Sequence, residues 1–366
     1  MSEVLINKKP RSSGIELLKI LAMLLICLVH ATQSGVINAH AAEQSGFLKY
    51  LIKVIGECGN IGNLTFIICS AWFLIGSTKT KTEKAVNILL DSTFISIIIL
   101  IGFISAGKTI QGGIIRQIFP DVYINNWFVV AYVIVYLLHP IFNLIIKNVS
   151  RITLFSFVCG ILIIFGILPF FMIDKFYNEL VGFICVYFII GYVKLYMKDF
   201  CKSVKINAII LVLSVIVFAA LVLIRDRAET NYGFNFQVNY LTSPVVLLIS
   251  VSLFNLFVKL DFVNKTINYI SSCTLFIYII HSNYLLRIIA RADFYNFVIE
   301  KFGVGYLNLF VLVCGVGMFI GSLILAIIYK ETIHRFTAFL SLKIKNILDK
   351  FFSWLNKKFT KNENID

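Results

Sequence analysis

GIELLKILAMLLICLVHATQSG, residues 14–35, decides the fold. The run is apolar for long enough to cross the hydrocarbon of a bilayer as one helix, yet it carries two ionisable side chains, Lys19 and His30. Eleven residues make three helical turns, so the two lie on one face, about 16 Å apart along the axis. An ionisable group at that depth costs a few kcal/mol on insertion scales and marks function by default. Ser34 follows His30 by one turn, and Glu16 precedes Lys19 by three residues on nearly the same side.

The rest of the chain repeats the apolar pattern. Of its 366 residues 59% are hydrophobic and 14% charged, and the mean hydropathy is +0.89. That composition excludes a soluble globular domain. The hydropathy predicts an all-α, polytopic helix bundle of about ten spans, at 14–34, 62–77, 86–105, 127–147, 152–171, 179–197, 206–224, 241–260, 269–290 and 308–329. Residues 1–13 form an N-terminal segment, 14–330 the membrane domain and 331–366 a basic tail. Most of the 33 lysines and arginines fall on one side if both termini are cytoplasmic, as the positive-inside rule expects of a multi-pass cell-membrane protein. The net charge of +14 reflects that orientation and does not point to nucleic acid. Ala39-His40-Ala41 imitates a signal-peptide cleavage site, but removing the first span would disrupt the charge pattern. The eight cysteines show no metal-ligand spacing and read as buried small hydrophobes, so no metal is expected.

Other polar features sit inside the apolar runs. In the fourth span Tyr132, Tyr136, His139, Asn143 and Lys147 share a helix face that must avoid lipid, either as a wet cavity or as a hydrogen-bonded seam beside Pro140. The ninth span offers Tyr278, His281, Asn283, Arg287 and Arg291, the two arginines serving as boundary anchors or as contacts for an anionic acceptor. Asp91 is the acid within the third span, with Lys84 two turns earlier as its expected partner. The glycine-punctuated segment 35–61 is expected to fold back and line a cavity, which brings Glu57 and Asn60 within possible range of His30. Gly317 and Gly321 form a GxxxG expected to pack closely against a helix. The tail, with Leu340, Ile344, Ile347, Leu348, Phe351, Phe352, Leu355 and Phe359 interleaved with Lys343, Lys350, Lys357 and Lys358, reads as an amphipathic helix on the lipids of an anionic leaflet. A histidine in such a bundle suits a general base or a proton shuttle. The residues alone therefore leave two classes open, an enzyme and a proton-coupled transporter or flippase of a polar or lipid-linked solute.

Four segments resemble the integral-membrane acyltransferase 3 family, in its bacterial polysaccharide O-acetyltransferase branch. The family's first-span signature is an Arg, ten residues and a His; Lys19 and His30 match it with Lys for Arg. GNIGNLTFIICSAWFLIG (59–76) resembles its second-span segment, with Ala71 where Gly is usual. NNWFVVAYVIVYLLHPIFN (125–143) and SSCTLFIYIIHSN (271–283) resemble its fourth-span and late-span patterns. The resemblance implies transfer of an acyl group, usually acetyl, from acyl-CoA to a hydroxyl of a cell-surface glycan or its lipid-linked precursor, without a metal. Lys19 would hold the donor acetyl-CoA, although an ammonium lacks the bidentate fork of a guanidinium. His30 would act as general base or become acylated itself. Ser34, Glu57, Asn60, Asp91, Tyr136, His281, Asn283 and Arg287 are the candidates for supporting roles. A chain that ends on a short tail is expected to act alone, as a homodimer, or with a separate partner protein.

Overall fold

A lipid-embedded chain must satisfy its backbone hydrogen bonds internally, so apolar runs of this length become helices. In a computed structural model, residues 12–110, 113–123, 126–172, 177–233 and 235–362 are described, without side-chain detail at 42, 230 and 355–362. Nearly all of the N-terminal segment, Asn125, and the side chains of Leu355, Lys357, Lys358 and Phe359 therefore lie outside the described residues. The helices that matter are α1 (Ser13–Thr32), α2 (Gly46–Gly56), α3 (Gly59–Leu74), α4 (Thr82–Ser105), α5 (Trp127–Asn148), α6 (Arg151–Ile161), α7 (Glu179–Tyr196), α8 (Val204–Tyr232), α9 (Pro244–Phe257), α10 (Lys265–Ser271), α11 (Thr274–Ser282), α12 (Arg291–Phe302), α13 (Leu307–Thr332) and α14 (His334–Asn362). No strand occurs among the described residues.

Each of the ten expected segments falls largely on helix, but they are not equivalent. Eight helical stretches are long and apolar enough to cross a membrane. A ninth is the pair Lys265–Ser282 and Leu286–Phe302, bent by 68° at its break. The tenth position holds α9, a helix of 14 residues. The chain before α9 is irregular, and its polar groups are met by protein. Gln237 N–H donates to the Phe170 carbonyl at 3.0 Å, and the hydroxyls of Tyr240 and Thr242 donate to the carbonyls of Gly166 and Phe165.

α1 is the axis of the bundle. It packs against α2, α3, α9, α10, α11 and α13. Two glycines on neighbouring helices let them approach α1 closely. A Cβ on Gly62 would lie 2.6 Å from the Ile26 side chain, and one on Gly315 would lie 2.8 Å from the Leu28 Cα. Contrary to expectation, the GxxxG of α13 packs against no helix among the described residues. Gly317 and Gly321 have nothing within 4 Å of an added Cβ, because the packing face of α13 runs through Gly315 instead.

The bend between α11 and α12 has a local cause. Asn283 turns to φ −53°, ψ 135°, and its side-chain oxygen accepts from Leu285 N–H at 3.0 Å. An Asn side chain that bonds its own backbone competes with the helix ladder.

Asp91 also departs from expectation. It does not pair with Lys84, since two turns of helix separate them by about 10 Å along the axis. Instead its carboxylate accepts from Tyr329 Oη at 2.7 Å, Thr337 Oγ1 at 2.5 Å and Asn87 Nδ2 at 3.2 Å, and faces His334 Nδ1 at 3.1 Å. This knot ties α4 to the end of α13 and the start of α14. The inward stripe of α14 continues from it through Thr337 and Ser341, both buried.

Two outcomes follow for thermal unfolding in detergent. Gly315→Leu must push α13 off α1, at about 1–3 kcal/mol for overpacking, and lowers the melting temperature, whereas Gly317→Leu does not. Asp91→Ala leaves the buried Tyr329 hydroxyl without its acceptor, at about 1–3 kcal/mol, while Thr337 keeps the His334 carbonyl at 2.9 Å, and it too lowers the melting temperature. Equal melting of both glycine variants would show that α13 packs through the other face.

Candidate functional site

α1 and α11 run side by side in the same direction. Ser271 Oγ, next to the start of α11, donates to Glu16 Oε2 at 2.5 Å, and ten residues later the ring of His281 lies 5.0 Å from that of His30. The two helices thus carry one polar cluster at the Lys19 end and another at the His30 end.

At the Lys19 end, Lys19 Nζ lies 3.4 Å from Glu16 Oε1. Beyond it opens a cavity of about 370 Å³ lined by Lys19, Lys84, Asn87, Tyr132, Ser272 and His334, among others. Lys84, released from the expected pair with Asp91, donates to Tyr132 Oη at 3.3 Å and sits 4.8 Å above the Tyr136 ring. Lys19 and Lys84 bring two ammonium groups to this cavity, with the Asp91 carboxylate in its wall held by its own partners. Tyr136 belongs to this end, because its hydroxyl accepts from Lys81 N–H at 3.1 Å.

The fourth-span stripe resolves into a packing seam below the cavity. Asn143 Nδ2 donates to the carbonyls of Leu74 and Ser77 at 2.8 and 2.7 Å, and Tyr187 Oη donates to Asn143 Oδ1 at 2.8 Å. Lys194, which the sequence did not single out, donates to the carbonyls of Trp72 and Ile75 at 2.5 and 2.9 Å. Together these groups satisfy the last turn of α3.

At the His30 end, the last turn of α1 has the same need. Arg291 Nη1 donates to the His30 carbonyl and, at 3.1 Å, to that of Gln33. Tyr295 Oη donates to the Ala31 carbonyl at 2.8 Å. The bend at Asn283 is what turns α12 back onto α1 to supply them. His281 Nδ1 lies 2.7 Å from the Ile277 carbonyl. That contact assigns the proton to Nδ1 and leaves Nε2 as a lone-pair acceptor.

Four buried polar atoms here have no partner: His30 Nδ1, His281 Nε2, and Nε and Nη2 of Arg291. Unsatisfied buried groups are uncommon, and this concentration identifies the candidate centre. Arg287 lies within electrostatic range of His30 as well.

The remaining candidates are placed elsewhere. Ser34 precedes the short helix Gly35–Ala39 and lines a larger cavity of about 650 Å³ together with Glu57, Lys53, Arg225, Asp226 and Asn239. Segment 35–61 does line a cavity, as its glycines suggested. Glu57 accepts from Arg225 Nη2 at 2.5 Å, and Lys53 pairs with Asp226. Asn60 is bonded to Asn239 through its backbone N–H and its side chain, both at 3.0 Å. Among the described residues none of these is hydrogen-bonded to His30. Asn283 shapes the bend, and its Nδ2 donates to Ser96 Oγ at 3.5 Å.

The family model for an acyltransferase domain, acyltransferase 3, matches residues 12–327. No curated protein and no solved structure gives a match. The matched region holds both polar clusters and nearly all of the apolar helices. The chain belongs to the acyltransferase 3 family, a multi-pass membrane protein whose family activity is acyl transfer.

Proposed function

We propose that the protein moves an acetyl group from acetyl-CoA to a hydroxyl of a cell-surface polysaccharide or of a lipid-linked glycan. The observation that carries this reading is the separation of a cation-lined cavity from a cluster of unpartnered histidine and arginine atoms, joined by one helix face. A donor with phosphates at one end and a thioester at the far end of a long arm suits that arrangement. Lys19 and Lys84 hold the phosphates as point charges. The arm follows α1 towards His30.

His30 acts as general base. It takes the proton of the acceptor hydroxyl as that oxygen attacks the thioester carbonyl. The carbon–sulfur bond then breaks, and the proton passes from His30 to the departing CoA sulfur. His281, its Nδ1 engaged with the Ile277 carbonyl, fixes the pocket wall beside His30. In this reading the chain lies in the cell membrane with ten spans and both termini cytoplasmic. Acetyl-CoA then enters at the Lys19 end, and α14 starts at the cytoplasmic leaflet. A proton-coupled transporter would need Asp91 free to exchange its proton with His30, and Asp91 is held by hydroxyl, amide and imidazole partners away from it.

In membrane vesicles supplied with isotope-labelled acetyl-CoA, the wild type labels glycan. His30→Ala at equal protein level loses at least a hundredfold of that rate, the lower range for a positioned base. Normal labelling by that variant would overturn the role of His30, and solute flux without labelling would favour the transporter class. Lys84→Ala and Lys19→Gln raise the KM for acetyl-CoA about tenfold, the loss of one charge-assisted contact, with less effect on kcat. An unchanged KM in both would remove the donor from this cavity.

A further inference from the structure

Beside the His30 centre a second, smaller cavity of about 250 Å³ lies between the bent α11–α12 pair and α13. Its walls are mostly apolar, from Ile280, Leu286, Phe294, Met318 and Leu325, and its polar lining includes His281 and Arg291. Ala290, Gly321 and Leu325 at its rim are exposed, on stretches apolar enough to cross a membrane. The cavity therefore opens sideways, towards lipid.

Arg291 is 4% exposed. A guanidinium stays charged in a protein, and a buried charge normally has a counter-ion. Arg291 has carbonyl partners for Nη1 alone. Its Nε and Nη2 atoms, which form the edge that grips an oxyanion with two parallel hydrogen bonds, are buried without partners. No carboxylate pairs with Arg291 or Arg287 among the described residues. Arg287, four residues earlier, adds a second positive charge within range of His30.

We infer that this slot binds the phosphate of a lipid. An anion reaching a lipid-facing slot must arrive on an apolar tail. The forked Nε and Nη2 edge of Arg291 matches two oxygens of one phosphate, and Arg287, outside the slot's lining, adds its charge only at longer range. The slot is smaller than the usual range for a whole ligand, so it receives the head and the first carbons of the chain while the tail stays in the bilayer. On the acyl-transfer reading, the lipid is the carrier of the glycan acceptor, held one residue contact from His30 by the same arginine that clamps the His30 carbonyl.

The test uses the full-length protein in a non-ionic detergent, without acyl-CoA. Binding and thermal stabilisation are measured with geranylgeranyl phosphate, geranylgeraniol and inorganic phosphate. The lipid phosphate is expected to bind at least tenfold more tightly than either of the others. Arg291→Gln weakens it at least tenfold. Gly321→Leu fills the rim where an added Cβ meets nothing within 4 Å, so it leaves the unliganded melting temperature unchanged and weakens the lipid phosphate to the same degree. That variant keeps the test decisive if Arg291→Gln does not fold.

Equal binding of the alcohol would overturn the anion site, and equal binding of inorganic phosphate would overturn the lipid. Undiminished binding to Gly321→Leu would place the lipid elsewhere, and no binding of any probe would overturn the inference. Each of those results leaves acyl transfer standing, because labelling from acetyl-CoA decides that question separately.

Discussion

The end of α1 is where the structure is most constrained. A helix that stops inside a bundle leaves its last carbonyls without intrahelical partners, and lipid offers no water to take them. Here Arg291 and Tyr295 supply the donors. To do so the chain after α11 must turn back by 68°, which Asn283 permits by bonding its own backbone. The same turn places Arg291 beside His281, which α11 already holds against His30, and closes one wall of the lipid-facing slot. The placement of Arg291 at the candidate centre is thus a by-product of satisfying one helix end, and a change at Asn283 would be felt at the His30 carbonyl without touching it.

The two polar ends of α1 are built on opposite principles. At the Lys19 end most charges are already answered. Glu16 receives Ser271 and Lys19, Lys84 lies over tyrosine rings, and Asp91 sits in its knot. What the end offers a ligand is a cavity with room in it and two lysines in its wall. At the His30 end the groups are few and unanswered. That contrast fits a substrate held by charge at one place and reacted at another, and it does not require any helix to move between the two events.

Much of this was legible in the sequence. The apolar runs gave the all-helical bundle, and the three-turn spacing of Lys19 and His30 put both on the helix that proves central. His281 was visible as a second intramembrane imidazole. The failures have a common physical source. Asp91 was assigned to Lys84 because sequence shows only neighbours along one helix, while its partners Tyr329, Thr337 and His334 come from more than two hundred residues away. Gly317 and Gly321 matched a spacing that says nothing about which side of α13 meets α1. Sequence leaves Arg291 open between an anchor and an anion contact, and its hold on the His30 carbonyl cannot be read there, since that depends on a bend whose cause is a single Asn side chain. Lys194 was passed over because capping the end of another helix leaves no local pattern.

Burial of a polar group in a membrane protein does not by itself separate scaffold from site. Asp91 is almost fully buried and has a partner on every side, as a structural fastening should. His139 is buried too, with Nδ1 on the Tyr136 carbonyl and Nε2 unpartnered. A single orphaned atom of that kind is within the ordinary tolerance of a folded protein. What distinguishes the His30 region is that four orphaned atoms from three residues, one on α1 and two on the bent α11–α12 pair, share one place beside a cavity. Each such atom lowers stability, and their concentration is explained if a substrate supplies the missing partners when it binds.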